Sequence, residues 1–340
     1  MEEISRELLA RGGEQNVLSR EAVTAALEMS GLRPGRSEWR EFGVRALRFA
    51  GVLSLASGVI FLVAFNWQDF GVYGRFAAVE IPLLTALVMA WWKGLEALSG
   101  KLALMLAVML TGALLALFGQ TYQTGADVYE LFLAWALLAL PWVIACRYTP
   151  CWALWVVVAN LAVGLYAGVN AHNWIFALLL DRWQWSPWSI PFLFNLLLYV
   201  TVLLLAHWPQ IGLSERWLHR AIIAVAMGFG TCAMIYLIAG GNRYSDRSGA
   251  AGTIEVLLYL GASAGLFLYA FRQKDDLFNF AVLALSWVAV TTSLLARALM
   301  EDHAGIGALF ILGMYLIGAS TGAVKAISYV GRQWQTKEAQ

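Results

Sequence analysis

Residues 102–119 read LALMLAVMLTGALLALFG, an uninterrupted run without a charged side chain. As an α-helix this run is about 27 Å long, close to the roughly 30 Å thickness of a bilayer's hydrocarbon core. Similar runs recur along the chain: 60% of its 340 residues are hydrophobic and 13% are charged, against about 25% charged in a typical soluble domain. The charged residues lie in the gaps between the runs. The sequence therefore predicts an all-α, polytopic transmembrane helix bundle.

Apolar runs bounded by charge, glycine or proline predict about ten spans. They lie near residues 49–66, 76–92, 102–119, 130–146, 151–169, 190–207, 220–239, 253–271, 278–299 and 306–328. Ten spans put both termini on one side of the membrane. With the N-terminus inside, eighteen of the 23 Arg and Lys residues fall in cytoplasmic segments. By the positive-inside rule, this asymmetry predicts cytoplasmic termini.

The ends of the chain differ in composition from its middle. Residues 1–45 combine charged residues with short apolar repeats, which predicts a cytoplasmic amphipathic helical segment in which Ser19 caps one helix. Residues 46–328 are predicted to form the bundle, and residues 329–340 a cytoplasmic tail. Two interpretations of the first segment stay open: a collar over the bundle, or a docking site for a partner membrane protein.

Several function classes lack their usual sequence support. A formal net charge of +1, with no dense basic block, argues against nucleic-acid binding. None of the four histidines falls into a metal-binding spacing, and the chain has neither a GxSxG nor a phosphate-binding GxxxxGK[ST] motif. We therefore expect no cofactor, no metal and no catalytic residue of a known type, which weighs against an enzyme without excluding one.

Carboxamide side chains next to aromatic ones recur where the odd-numbered spans reach the outer surface. The first span ends at Asn66 and Trp67, the third at Gln120 and Tyr122, and residues 170–174 and 241–244 repeat the pattern. Amide groups near the membrane core need hydrogen-bond partners or a wet cavity. One interpretation is an outward-facing polar and aromatic pocket for a small polar solute. The other is helix-end capping within an aromatic belt.

The following outer loop contains two carboxylates, Asp127 and Glu130, and no basic residue. Together they could attract a cation to the mouth of a pocket. They also lie three residues apart at the start of the fourth span, where negative charge favours a helix N-terminus. The sequence leaves both roles open.

Two ionisable residues fall inside predicted spans at similar depth. Glu80 lies five residues past Arg75, about 7 Å inward, and Arg297 lies about 6 Å inward from the outer end of the ninth span. A carboxylate at that depth needs a partner or a proton, which suggests a Glu80–Arg297 ion pair. The alternative is that Glu80 reaches outward to water, or is neutral and hydrogen-bonded to Gln120.

Three segments resemble a family of uncharacterised bacterial multi-pass membrane proteins. They are GVIFLVAFNW at residues 58–67, the step from Arg75 to Phe76, and FGQTYQTGADVYELFLAWALLALP at residues 118–141. The resemblance covers about residues 1–150, and its GQ-x-Y element followed by LFxxWALLALP is its most specific part. It implies a bacterial inner-membrane location and a domain of unknown function, and it carries over no catalytic residue.

Three functions are compatible with the sequence. The first is a permease-like protein for a small polar solute, suggested by the ten spans and the outer cluster Asn66, Trp67, Gln120, Tyr122, Asp127 and Glu130. The second is a scaffold or subunit that holds a partner membrane protein, and the third is an enzyme acting on a lipid-linked substrate with Asp127 or Glu130 as base. All three place the chain in the lipid bilayer.

Overall fold

The structure, a computed structural model, describes residues 19, 21–22, 25–26, 35–169, 186–213, 215–240, 248–273, 277–301 and 306–338. Within these segments the chain forms ten α-helices and no strand. The helices are α1 (Arg36–Phe65), α2 (Val72–Lys93), α3 (Leu98–Tyr122), α4 (Val128–Cys146), α5 (Thr149–Val169), α6 (Ser189–Leu205), α7 (Arg216–Ile238), α8 (Ser248–Gln273), α9 (Leu277–Glu301) and α10 (Ile306–Glu338). A short 3₁₀ helix, Pro209–Ile211, lies between α6 and α7.

Each predicted span corresponds to one helix, which confirms the prediction of an all-α polytopic bundle. Nine of the described helices are long and apolar enough to cross a bilayer. The exception is α6, which is apolar but has only 17 residues. The side of the membrane on which the termini lie remains a prediction.

The helices extend beyond the predicted spans at both ends of the chain. At the start of α1 the Gly35 N–H donates to the Glu38 carboxylate at 3.3 Å, and the helix then runs through residue 45 without a break. At the other end α10 continues past residue 328 to Glu338. The predicted cap at Ser19 is confirmed, because its hydroxyl accepts the Ala22 N–H at 3.1 Å. Apart from residues 19, 21–22 and 25–26, residues 1–34 lie outside the described residues.

Helix α3 is the centre of the N-terminal half of the bundle. It packs against α1, α2 and α4, and eleven of its 25 residues are buried. Trp135 of α4 fixes one of these contacts, since its indole N–H donates to the Val108 carbonyl at 2.8 Å. The same indole lies against Gly112, where a Cβ atom would come within 2.5 Å of the ring. Glycine at this position therefore allows α4 to approach α3 closely.

The turn between α4 and α5 packs against the loop between α6 and α7. The Thr149 hydroxyl donates to the Gly212 carbonyl at 2.9 Å, and the Trp152 indole donates to the Ile211 carbonyl at 2.8 Å. Gly212 has a φ of +75°, and a Cβ there would lie 2.4 Å from the Arg147 backbone. Cys146 and Cys151 are buried in this turn as free thiols, with their sulfur atoms 3.1 Å apart.

The C-terminal half is built around α7, which contacts α6, α8 and α9. The last helix, α10, packs mainly on α9, and no residue of its most apolar stretch is buried. Within the described part of the chain, most of the surface of α10 is therefore not covered by other helices.

Candidate functional site

A groove of about 350 Å³ lies between the first four helices. Its lining consists of Ile60, Val63, Ala64, Trp67, Val79, Met109, Gly112, Ala113, Ala116, Leu117, Gln120, Leu131, Phe132 and Trp135. The volume is within the range of about 300–1,000 Å³ that is typical of small-molecule sites. We refer to this set of residues as the groove.

One face of α3 forms the floor of the groove. Its lining residues lie at positions 109, 112, 113, 116, 117 and 120, a spacing of three and four that puts them on one side of a helix. Ala113 and Ala116 lie in the middle of this face, and their short side chains leave open space above it, whereas Gly112 is covered by the Trp135 ring. From Met109 to Gln120 the floor extends about 16 Å at 1.5 Å per residue. Residues from α1 and α4 form the two walls.

Trp67 forms one side of the groove mouth, in the turn that follows α1. The Arg75 guanidinium lies over its indole ring, 3.9 Å from the ring centroid, and donates a hydrogen bond to the Trp67 carbonyl. Arg75 is half-buried in the first turn of α2. The cation–π contact and the hydrogen bond together hold the turn against α2, which keeps the indole at the groove.

Gln120 lies at the same end, two residues before the end of α3. Its side chain is exposed and, among the described residues, has no hydrogen-bond partner. The carboxamide offers two donor hydrogens and one acceptor oxygen to a molecule in the groove. Trp67 and Gln120, which the sequence predicts to belong to one outer cluster, both line this groove.

The other predicted members of the outer cluster have local roles. The Asn66 side chain donates to the Leu62 carbonyl at 2.8 Å and so caps the end of α1. The Tyr122 ring contacts those of Phe118 and Phe76, with centroids 4.8 and 6.1 Å away. Asn66 therefore caps a helix end, and Tyr122 packs against neighbouring aromatic rings.

Asp127 and Glu130 lie at the start of α4, outside the groove lining. Asp127 is the N-cap residue, Glu130 is in the first turn, and both are exposed. Negative charge at these positions is favourable because of the helix dipole. Their arrangement matches the helix-terminus role that the sequence left open.

Glu80 and Arg297 do not form an ion pair with one another. The one ion pair between described side chains joins Arg45 to Glu41 in α1. Glu80 is exposed on α2 and makes no hydrogen bond to Gln120, whereas Arg297 donates to the Ile238 carbonyl at the end of α7. The predicted pairing is therefore not observed, and the structure places Glu80 at the surface of the bundle.

The groove lining supplies binding contacts rather than acid–base groups. Its described residues include no Asp, Glu, His, Lys, Arg or Cys, and the polar side-chain atoms come from Trp67, Gln120 and Trp135. The Trp135 indole N–H is already used in its bond to Val108. Across the described part of the chain, no three His, Cys, Asp or Glu side chains cluster as a metal site would require.

Sequence reasoning missed most of the groove. The signal was the spacing of small residues at positions 112, 113 and 116 within the apolar run that first indicates a membrane helix. This spacing of small residues is compatible both with close contact to another helix and with an open space. The amide and aromatic repeats at residues 170–174 and 241–244 lie outside the described residues.

A known protein family matches the part of the chain that contains the groove. Residues 13–152 match a family described as "Predicted membrane protein (DUF2157)". This match confirms the resemblance expected from the sequence, and it includes every residue of the groove lining. Comparisons with curated proteins and with solved structures gave no match.

Proposed function

We propose that this protein is permease-like and that the groove is its solute-binding site. The observation that carries the proposal is the open face of α3, which ends at an exposed carboxamide with no protein partner among the described residues. A preformed cavity with few polar groups and an apolar lining is typical of small-molecule sites. The multi-pass architecture supplies the membrane setting that transport requires.

The lining favours a small amphipathic solute. A sugar carries polar groups on all sides, and most of them would lose their hydrogen bonds in an apolar groove at a cost of about 1–3 kcal/mol each. A molecule with an apolar body and one polar end would bury the body along α3 and place the polar end at Gln120. The proposed class of solute is therefore more apolar than the small polar solute that the sequence suggested.

Uptake by proteoliposomes tests this function. Purified protein is reconstituted and offered a mixture of medium-chain alcohols, amides and carboxylates together with sugars and amines, and the internal contents are quantified by mass spectrometry. We expect an amphipathic member to accumulate above empty liposomes. Gln120→Leu should reduce its uptake at low concentration about tenfold, because the lost hydrogen bond is worth about 1–1.5 kcal/mol.

The matched control is Gln68→Leu, which removes an exposed carboxamide from the turn beside Trp67 without touching the groove lining. It should leave uptake unchanged. Accumulation of no solute would contradict the permease-like function. Accumulation of sugars or amines alone would contradict the proposed class of solute.

We also propose a bacterial inner-membrane location with the N-terminus in the cytoplasm, on the distribution of Arg and Lys residues. This orientation places the groove mouth at the outer surface. In a cysteine-free background, a cysteine replacing exposed Asp127 should react with an impermeant thiol reagent in intact cells. A cysteine replacing Glu96, which is exposed in the turn between α2 and α3, should react only after permeabilisation. The reverse pattern would invert the topology.

A second candidate function is that of a scaffold for a partner membrane protein. It is favoured by α10, which has no buried residue in its most apolar stretch and whose Gly318 and Gly322 face open space. Small residues four apart allow close helix contact. Purification in mild detergent would recover a stable hetero-complex if this function is correct, and a single species if it is not.

A further inference from the structure

Glu255 is an ionisable residue buried inside the C-terminal half of the bundle. It lies within the membrane-length segment Gly252–Arg272 of α8, and its relative exposure is 3%. Carboxyl groups in such positions are rare because an isolated charge there is costly. Where they occur, they commonly mark a path or site for ions or protons.

The two oxygen atoms of the Glu255 carboxyl group have different surroundings. Oε1 accepts the Ser186 N–H at 2.7 Å and the Ser189 hydroxyl at 2.6 Å. Oε2 is equally buried and has no hydrogen-bond partner. One oxygen is thus held at the start of α6, while the other is left as an unused polar atom.

Two opposing effects act on the charge of this group. The N-terminus of α6 and its two donors favour a carboxylate. Burial favours the neutral acid, in which a proton occupies one oxygen. An unpartnered Oε2 is the atom on which such a proton would reside, because Oε1 already accepts two hydrogen bonds.

The described parts of the helices around Glu255 place no compensating positive charge against it. Helix α6 has no charged residue, and α7 carries Arg216, His219 and Arg220 at its opposite end. Arg297 of α9 donates to the Ile238 carbonyl. Among the described residues no cation lies against the carboxyl group, and a proton on Oε2 would neutralise it.

Hydroxyl groups continue from this site along the same face of α8. Tyr259 lies one turn beyond Glu255, and its hydroxyl is 2.6 Å from the Ser286 hydroxyl of α9. Ser286 is in turn 2.6 Å from the Thr231 hydroxyl of α7. The Tyr259, Ser286 and Thr231 hydroxyls thus form a hydrogen-bonded chain across three helices, which begins one turn along α8 from Glu255.

We infer that Glu255 is an intramembrane proton-binding site in which Oε2 takes up one proton and releases it reversibly. Uptake of a proton from hydronium forms one O–H bond on Oε2 as one O–H bond of the hydronium breaks, and it converts the carboxylate to a neutral acid and the hydronium to water. The carboxylate holds the Ser186 and Ser189 donors more strongly than the acid does, since hydrogen bonds to an ionised acceptor are about twice as strong. Protonation therefore alters how firmly α6 is attached to α8. The inference is independent of the groove and of the permease-like function.

Infrared difference spectroscopy of the purified full-length protein in lipid tests this inference. We expect the C=O stretching band of a protonated carboxylic acid that shifts in heavy water and disappears reversibly as the pH is raised. Glu255→Gln should abolish this band, and Glu80→Gln, which removes an exposed carboxyl, should leave it. Ser189→Ala should keep the band and raise its frequency, because the Ser189 hydroxyl no longer donates to the carboxyl group.

Ser189→Ala also keeps the test decisive if Glu255→Gln fails to fold. Identical spectra for wild type and Glu255→Gln, or an unmoved band in Ser189→Ala, would overturn the assignment. A band that persists at every pH would show a permanently neutral acid and would overturn it too. A band that responds to sodium or potassium concentration at constant pH would show a metal-cation site instead of a proton site.

Discussion

Gly112→Ala is expected to destabilise the protein by about 1–3 kcal/mol, the usual cost of adding a methyl group to a fully packed position. The new Cβ would lie 2.5 Å from the Trp135 ring, which cannot move freely because its N–H is bonded to the Val108 carbonyl. Either α4 moves away from α3 or that hydrogen bond breaks. The free energy of unfolding in mixed micelles measures the loss.

Gly58→Ala is the matched control for this substitution. Gly58 lies in the middle of α1, and a Cβ there meets no atom within 4 Å. Alanine is favoured over glycine inside a helix by about 1 kcal/mol, so this variant should be as stable as the wild type or slightly more stable. Equal effects of the two substitutions would show that α3 and α4 do not meet at Gly112.

Ala116→Trp is expected to abolish solute uptake while leaving the fold intact. Ala116 lies in the floor of the groove, between the walls formed by α1 and α4. An indole side chain there would occupy the space where the solute's apolar body is proposed to bind. Uptake should fall to the level of empty liposomes at every solute concentration, a larger effect than that of Gln120→Leu.

Ala145→Trp provides the control for the added bulk. Ala145 is exposed on α4 and does not line the groove, so its replacement adds the same side chain to the outer surface of the bundle. This variant should retain wild-type uptake. Retained uptake in Ala116→Trp would place the solute elsewhere.

The spans could be predicted from the sequence because a helix that crosses the lipid core must be apolar along nearly its whole length. The charge-free stretch at residues 102–119 predicts α3 within a few residues at each end. The starts of α1 and α2 are harder to predict, since there the helix continues into more polar or glycine-containing sequence. In that region local capping, as between Gly35 and Glu38, decides where the helix begins.

The candidate site could be predicted only in part. Trp67 and Gln120 stand out as an aromatic residue and an amide at the ends of neighbouring spans, and the structure brings both to the groove. The predicted Glu80–Arg297 pair is not observed, because two residues at the same depth in the membrane can meet only if their helices are neighbours. Glu255 was overlooked although it lies in a predicted span, four residues before Tyr259 and eight before Ser263. Its significance depends on the Ser186 and Ser189 contacts, which bring together segments 66 and more residues apart.

Photolabelling of the wild-type protein is the most direct test of whether the groove binds a small amphipathic molecule. The probe is a decanol that carries a diazirine on its alkyl chain, applied to protein in lipid nanodiscs and mapped by mass spectrometry. If the groove binds the alcohol, the α3 floor should be labelled at Met109, Ala113 and Ala116, and excess unlabelled decanol should suppress this labelling. Exposed Leu309 and Phe310 of α10 should react weakly and without competition. Labelling of α10 and the α3 floor to the same degree, unaffected by competitor, would contradict binding in the groove.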